Sequence, residues 1–430
     1  MRFQMVPQAR GVGSLQTDFL DLPWDEPLEE WESDRLVQVA RGIHRHIVRF
    51  VSYDDRLYAL KELPPRLAER EYRLLRQMAS ENIPVVEVVG FVTERADGQT
   101  DEDLEAILIT RHLEYSLPYR ALFMGHGVPD LRNRLLDALA GLLVRLHMND
   151  FFWGDCSLSN TLFRRDAGAL AAYLVDAETA EYHTPLSNGL RRFDINIAEE
   201  NVAGELLDIQ ASGAEVDDPI AIARDLRQRY EALWDELTGE RVFGPDERYQ
   251  IEARLRRLND LGFDVDEYEL VTVPEGFRLR LNPRVVEPGH HRRRLYSMTG
   301  LNVQENQARR LIQDIDHFAG QIEQAEGRRP PPAVLAFRWL AERFEPAIAA
   351  VPEPETGKLE PAEIFHQILE HRWYLSEQAG RDIGLDEAIA SYVSSILPEV
   401  PEERKLFNDT DDLSVSAPRR SDAGRGPTSR

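Results

Sequence analysis

The chain has 430 residues and a formal net charge of −25, and its length exceeds one usual hydrophobic core, which implies two or three domains. Hydrophobic residues make up 42% and charged residues 30%, a globular balance with no apolar run near the roughly 20 residues of a membrane span and no signal-peptide core at 1–10. The acidic balance disfavours general binding to nucleic acid or anionic membranes, and the single cysteine, Cys156, excludes an internal disulfide and points to a cytoplasmic protein.

Residues 1–30 carry Asp18, Asp21, Asp25, Glu26, Glu29 and Glu30 among prolines and read as an extended acidic arm. Residues 36–40 and 46–51 read as strands joined by a turn at Arg41-Gly42-Ile43-His44, and 57–63 as a third strand. A helix is expected over 65–80, where Leu67, Leu74, Leu75 and Met78 recur at helical spacing. Strands at 83–93 and 104–110 complete a β-β-β-α-β-β order. Helical segments follow, strongest over 130–148. Residues 150–163 then read as a loop with a short strand, 171–175 as another short strand, and 195–209 and 219–237 as helices. Near 239–246 the character changes. A helix is expected at 246–261, a hairpin of 267–274 and 276–287 turning at Pro274-Glu275-Gly276, and helices at 290–299 and 303–325. Residues 327–332 read as a linker, 333–350, 361–378 and 385–396 as helices, and the polar run from 401 as a disordered tail.

Only Lys61, Lys358 and Lys405 are lysine; the other basic residues are arginine. Lys61 is thus the sole lysine in the first 357 residues. A compact ammonium and a wide planar guanidinium are not interchangeable in a tight phosphate site, so a lysine kept in such a chain marks a candidate phosphate contact. On a strand at Tyr58-Ala59-Leu60-Lys61 it needs an anion to hold it. The following helix offers Glu69 and Glu71, and Glu71 is favoured because Leu74 and Leu75 follow it at helical spacing.

Transfer of a phosphoryl group from ATP asks for a cation on the phosphates, oxygen ligands for magnesium and a base facing the acceptor hydroxyl. Trp153-Gly154-Asp155-Cys156-Ser157-Leu158-Ser159-Asn160 supplies an Asp followed five residues later by an Asn. Asp155 is the candidate catalytic base and Asn160 a candidate hard-oxygen metal ligand. Asp176, leaving a short apolar strand in Leu174-Val175-Asp176-Ala177-Glu178, is a second candidate metal ligand. Cys156 reads as a small buried residue of the same loop.

In this order the residues resemble the protein-kinase-like superfamily and, within it, the lipopolysaccharide core (Kdo) kinase group. The resemblance spans about residues 31–240. It implies nucleotide contact for Lys61, with Gly42 in the phosphate-covering loop and an ion-pair role for Glu71. It further implies catalysis by Asp155 and metal binding by Asn160 and Asp176, with ATP and Mg²⁺ as cofactors and a hydroxyl-bearing acceptor as partner. Residues 241–400 resemble a companion domain of unassigned function found in actinobacterial proteins, on Leu369-Glu370-His371-Arg372-Trp373-Tyr374-Leu375-Ser376-Glu377 and on the run from Thr299 to Ala308. The implied fold class is α+β: an acidic arm (1–30), a two-lobed kinase-like domain with a β-rich N-lobe and a helical C-lobe (31–240), a helix-hairpin-helix module (241–326), a helical region (327–400) and a tail (401–430). Three departures stand out. Gly42 is the only glycine of the phosphate loop, Trp153 replaces a histidine before Gly154-Asp155, and Glu178 stands where protein kinases carry glycine.

Two other readings remain open at this stage. One is a pseudokinase that serves the C-terminal region as a nucleotide-binding or interaction module. The other is an RNA-associated protein using His290-His291-Arg292-Arg293-Arg294, in a segment where twelve arginines offset eleven acids between Asp246 and Arg310. The plainer reading of those arginines is a solvated helix face. The stripe Phe365, Ile368, Leu369 and Trp373 reads as core packing.

Overall fold

The computed structural model describes residues 1–6, 19–37, 46–54, 56–100, 102–119, 122, 130–213, 216–239, 241–243, 250, 268–273, 276–281, 290–400 and 403. The first lobe contains β1 (Arg2–Met5), β2 (Leu36–Val37), β3 (Val48–Tyr53), β4 (Arg56–Leu63), α1 (Pro65–Ser80), β5 (Glu87–Thr93), the short ladder of β6 (Arg95–Ala96) and β7 (Asp103–Leu104), and β8 (Ala106–Arg111). Six of these strands form one antiparallel sheet in the order β1-β5-β8-β4-β3-β2.

Side chains alternate across this sheet with the two-residue period of a strand. Leu63, Phe91 and Leu108 face α1 and join its Ala68, Tyr72, Leu75 and Met78. Tyr58, Leu60, Val92, Ile107 and Ile109 face the other way, and Phe19, Leu22, Trp24, Leu28 and Trp31 cover them. The described parts of the expected acidic arm, 1–6 and 19–30, are therefore not an extended lead-in, and 7–18 lie outside the described residues. Arg2–Met5 is an edge strand on β5, and 19–31 lies over the sheet. Buried Arg95 ties the segment down by donating to Trp24 O at 3.0 Å and Glu105 O at 2.8 Å and pairing with Glu62 at 2.9 Å. Asp21, Asp25, Glu29 and Glu30 are exposed while scattered aromatics and leucines supply the contact, a pattern with no period to read.

The second lobe contains β9 (Ser116–Pro118), α2 (Leu131–Met148), β10 (Phe151–Phe152), β11 (Thr161–Asp166), β12 (Ala169–Leu174), β13 (Glu181–Tyr182), α3 (Asn188–Ala211) and α4 (Pro219–Thr238). Helix α2 buries Leu135, Leu136, Leu139, Leu142, Leu143 and Leu146 at helical spacing, a broad apolar face turned to the core. One apolar core runs from the inner face of the sheet through α1 and α2 to α3 and α4.

Beyond it, β14 (Arg241–Phe243), β15 (Tyr268–Val273) and β16 (Gly276–Leu281) form an antiparallel sheet in the order β14-β16-β15, the expected hairpin plus a strand not foreseen. Helices α5 (His290–Thr299), α6 (Glu305–Glu326), α7 (Pro332–Trp339), α8 (Glu345–Ala349), α9 (Pro361–Ala379) and α10 (Leu385–Ser395) share a second core running from Leu295 to Leu397. The expected linker at 327–332 is a short, largely exposed turn between two helices of this core, where α6 ends on Gly327 at φ 74°. The helix expected at 333–350 is interrupted by a π-turn over Leu340–Phe344. Pro346, which has no amide proton to donate, stands two residues beyond it. Of the expected core stripe, Phe365 and Ile368 are buried but Trp373 is 67% exposed. Eight residues past Phe365, a 3.6-residue turn carries Trp373 about 80° round the helix. Among the described residues, no helix is long and apolar enough to cross a membrane. The Gly42 turn, the helix expected at 246–261 and the tail past 403 lie outside the described residues.

Candidate active site

Lys61 sits mid-strand between Val48 of β3 and Leu108 of β8, on the face turned toward α1. That helix buries Ala68, Glu71, Tyr72, Leu75 and Met78. Spacings of three and four residues put these on one stripe, so Glu71 is a carboxylate set among apolar neighbours. It is 1% exposed. Lys61 Nζ lies 3.0 Å from Glu71 Oε2, 2.8 Å from Asp176 Oδ2 and 3.4 Å from Glu178 Oε2. Of the two glutamates offered by the sequence, Glu71 is the one that meets the lysine. Burial alone would lower the Lys61 ammonium, but Glu71 and Asp176 outweigh it and hold it above its ordinary value. Burial and then the Asp176 charge push Glu71 up to about 7, against the pull of Lys61. Burial would raise Asp176 as well, yet the Lys61 charge keeps its carboxyl below the usual range.

The loop with Asp155 and Asn160 lies beside this cluster. Trp153 is fully buried, and its Nε1 donates to Asp176 O at 3.1 Å. The tryptophan that replaces histidine thus ties the loop to the backbone of the second candidate metal ligand. Gly154 has φ 77°, and a Cβ there would meet the Phe152 ring at 2.9 Å and Thr179 O at 3.1 Å, so only glycine fits before Asp155. Asn160 Nδ2 donates to Asp155 O and Oδ2, each at 3.1 Å. Val175 N donates to Asn160 O at 3.0 Å, one residue before Asp176. The structure therefore gathers Lys61, Glu71, Asp155, Asn160 and Asp176 into one continuous region. Gly42 lies outside the described residues.

The chemistry of this region suits a divalent metal. Asp176 Oδ2 and the Asn160 amide oxygen are hard donors. Among the described residues, that amide oxygen accepts no hydrogen bond while its Nδ2 is used twice. No group of three or more His, Cys, Asp or Glu gathers as a metal cage among the described residues.

Residues 38–203 match the Lipopolysaccharide kinase (Kdo/WaaP) family. This part of the chain is lipopolysaccharide-kinase-like. Residues 232–397 match a domain of unknown function, DUF4032. No curated protein matches the chain in sequence. A solved structure titled "WaaP in complex with acyl carrier protein" matches at 16% identity over 52% of this chain and 88% of that one, with a TM-score of 0.33.

Several residues of the kinase-like region escaped sequence reasoning. Asp194, Asn201 and Glu205 of α3 anchor the loop at successive points. Asp194 accepts from Trp153 N at 2.7 Å and Gly154 N at 2.8 Å. Asn201 Nδ2 donates to Asp155 Oδ1 at 3.0 Å and Cys156 O at 3.1 Å. Glu205 accepts from Leu158 N at 2.7 Å and Ser159 N at 2.9 Å. Buried His147 joins from α2, with Nε2 2.9 Å from Asp194 Oδ2 and Nδ1 2.6 Å from Tyr230 Oη. The available signal was polar residues at i, i+7 and i+11, one helical face, beside buried Ile195, Ala198, Val202 and Leu206. His46, missed as well, has Nε2 2.8 Å from Glu178 Oε2. Cys156 is buried, and burial pushes its thiol well above its ordinary value, which makes it inert. Arg292, Arg293 and Arg294 are exposed on α5, where Arg292 donates to Asn302 Oδ1 at 3.3 Å.

Proposed function

We propose that the chain is an ATP- and Mg²⁺-dependent kinase that transfers a phosphoryl group to a hydroxyl of a sugar, lipid precursor or other small molecule. The observation that carries this reading is the Lys61 ammonium held between Glu71 and Asp176 at 3.0 and 2.8 Å, with the Asp155–Asn160 loop bonded alongside. The match to a lipopolysaccharide kinase family supports the same reading and points to a sugar or lipid acceptor.

In this proposal Lys61 contacts the α- and β-phosphates and Glu71 keeps its side chain in place. Asn160 and Asp176 would hold the magnesium ion, which would supply positive charge against the phosphates. Asp155 accepts the proton of the acceptor hydroxyl while the hydroxyl oxygen bonds to the γ-phosphorus and the bond from that phosphorus to the bridging oxygen breaks, releasing ADP. The Asn201 amide fixes one oxygen of that carboxylate. A thermal-shift titration tests the reading: ATP stabilises the protein with Mg²⁺ and loses that effect in EDTA. Equal shifts under both conditions would remove the metal from the proposal.

A further inference from the structure

The hairpin of β11 and β12 connects the two candidate metal ligands. Asn160 immediately precedes β11, and Asp176 follows the end of β12 by two residues. Across the base, Val175 N donates to Asn160 O at 3.0 Å. At the tip, Asp166 pairs with Ala169, and the turn passes through Ala167 and Gly168 at φ 49° and 84°. Both values are positive, as a two-residue type I′ turn requires.

This tip is seated in the C-terminal helical body. Asp166 Oδ1 accepts from Gln307 N at 2.8 Å, and its Oδ2 from Asn306 N at 3.2 Å and Asn306 Nδ2 at 3.0 Å. The carboxylate thereby occupies the amides that the first turn of α6 leaves without helical partners. Glu363 of α9 accepts from Ala167 N at 3.1 Å and from Gln307 Nε2 at 3.0 Å. Arg164 pairs with Glu360 at 3.0 Å and Arg165 with Glu403 at 2.5 Å. Asp166, Gln307, Glu363 and Glu403 are all buried.

Adhesion alone would be served by apolar contact, since a buried charged network adds little net stability. What directional bonds add is a fixed position. We propose that the C-terminal helical body is a brace for the metal-binding residues: by gripping the hairpin tip through Asp166, it holds Asn160 and Asp176 at the spacing a divalent metal needs. The identity of the ligand rests on the phosphoryl-transfer reading above; the mechanical link from tip to base does not. Asp166 is a positioning residue, and the region matching the domain of unknown function acts on the kinase-like region through it.

The test uses the full chain as wild type, Asp166→Ala and Asp166→Asn. Amide hydrogen exchange is followed at Ala167 and Gly168 in the tip and at Val175 in the base, together with melting in ATP plus Mg²⁺ and in ATP plus EDTA. Removal of Asp166 should speed exchange at Val175 by about tenfold, the scale of one lost charged hydrogen-bond set. It should also shrink the Mg²⁺-dependent part of the ATP shift, with Asp166→Asn intermediate because it keeps one acceptor oxygen. Should Asp166→Ala fail to fold, Asp166→Asn carries the comparison. The brace is overturned if the tip amides open while Val175 keeps wild-type exchange, or if the shifts with and without metal fall equally. A wild type with no Mg²⁺-dependent shift would count against the kinase reading, while the exchange at Val175 would still decide the brace.

Discussion

Lys61 carries the sharpest single-residue prediction. Lys61→Arg keeps the charge, but a guanidinium is wider and its fork suits a bidentate pair with Glu71, 3.0 Å from the present ammonium. The variant should fold, because a cation still meets the buried carboxylate. It should lose roughly 100-fold or more of ATP turnover, as misplaced reacting groups do. Turnover assays beside Arg56→Lys, on the same strand, provide the control, and wild-type rates in Lys61→Arg would count against the phosphate role. Asp155→Asn separates differently. A general base acts on the acceptor, so turnover should vanish while Mg-ATP affinity stays within a few-fold. Calorimetric titration measures the second quantity, and a variant that no longer binds the nucleotide would make Asp155 a ligand or structural group.

At the scale of elements, helix α3 governs the shape of the Asp155 loop. Asp194 is wholly buried and accepts two loop amides besides facing His147. Asp194→Ala would leave those groups buried without an acceptor, and the expected loss is about 3–5 kcal/mol of stability. Urea unfolding measures it, and a loss below about 1 kcal/mol, the worth of an ordinary hydrogen bond, would show that water replaces the carboxylate. This helix also shows where sequence reading stops. Lys61, Asp155, Asn160 and Asp176 were legible because their chemistry and order are unusual, and α1 was legible because Leu74, Leu75 and Met78 repeat at its period. Asp194, Asn201 and Glu205 look the same in sequence as a solvated helix face; only the loop packed against them distinguishes the two. The segment 19–31 was missed because Phe19, Trp24, Leu28 and Trp31 are buried without any period, while the acids between them suggest an unpacked chain. Trp373 erred in the opposite direction, since apolar identity outran its helical phase.

For the whole molecule, the junction between the two cores carries acid-linked stability. Burial, against bonds from Gln307 and Asn306, lifts the Asp166 carboxyl to about 6, and burial lifts Glu403 to about 7. A folded carboxyl whose pKa exceeds its unfolded value keeps a proton that the unfolded chain releases. Its contribution is therefore greatest in acid and declines as pH rises from about 4 to about 7. Burial lowers His112 to about 4, which acts with the opposite sign, so the contribution must be isolated by difference. The stability of wild type minus that of an Asp166→Asn, Glu403→Gln double variant should shrink between about pH 5 and about pH 7.5, the window of those two carboxyls. Denaturant melts at the two pH values check this, and a difference that grows would reverse the assignment.

The hairpin clasp also sets an order of events during synthesis. Asp166 meets Gln307 across 141 residues of chain. At the ~5–20 residues per second of ribosomal elongation, that gap is roughly 7–30 s. Throughout it the newly made kinase-like lobes carry a carboxylate and two arginines whose partners are still unmade. Asp166 stays solvated by water until α6 leaves the ribosome, so a later-made part of the chain closes a joint belonging to an earlier-made one.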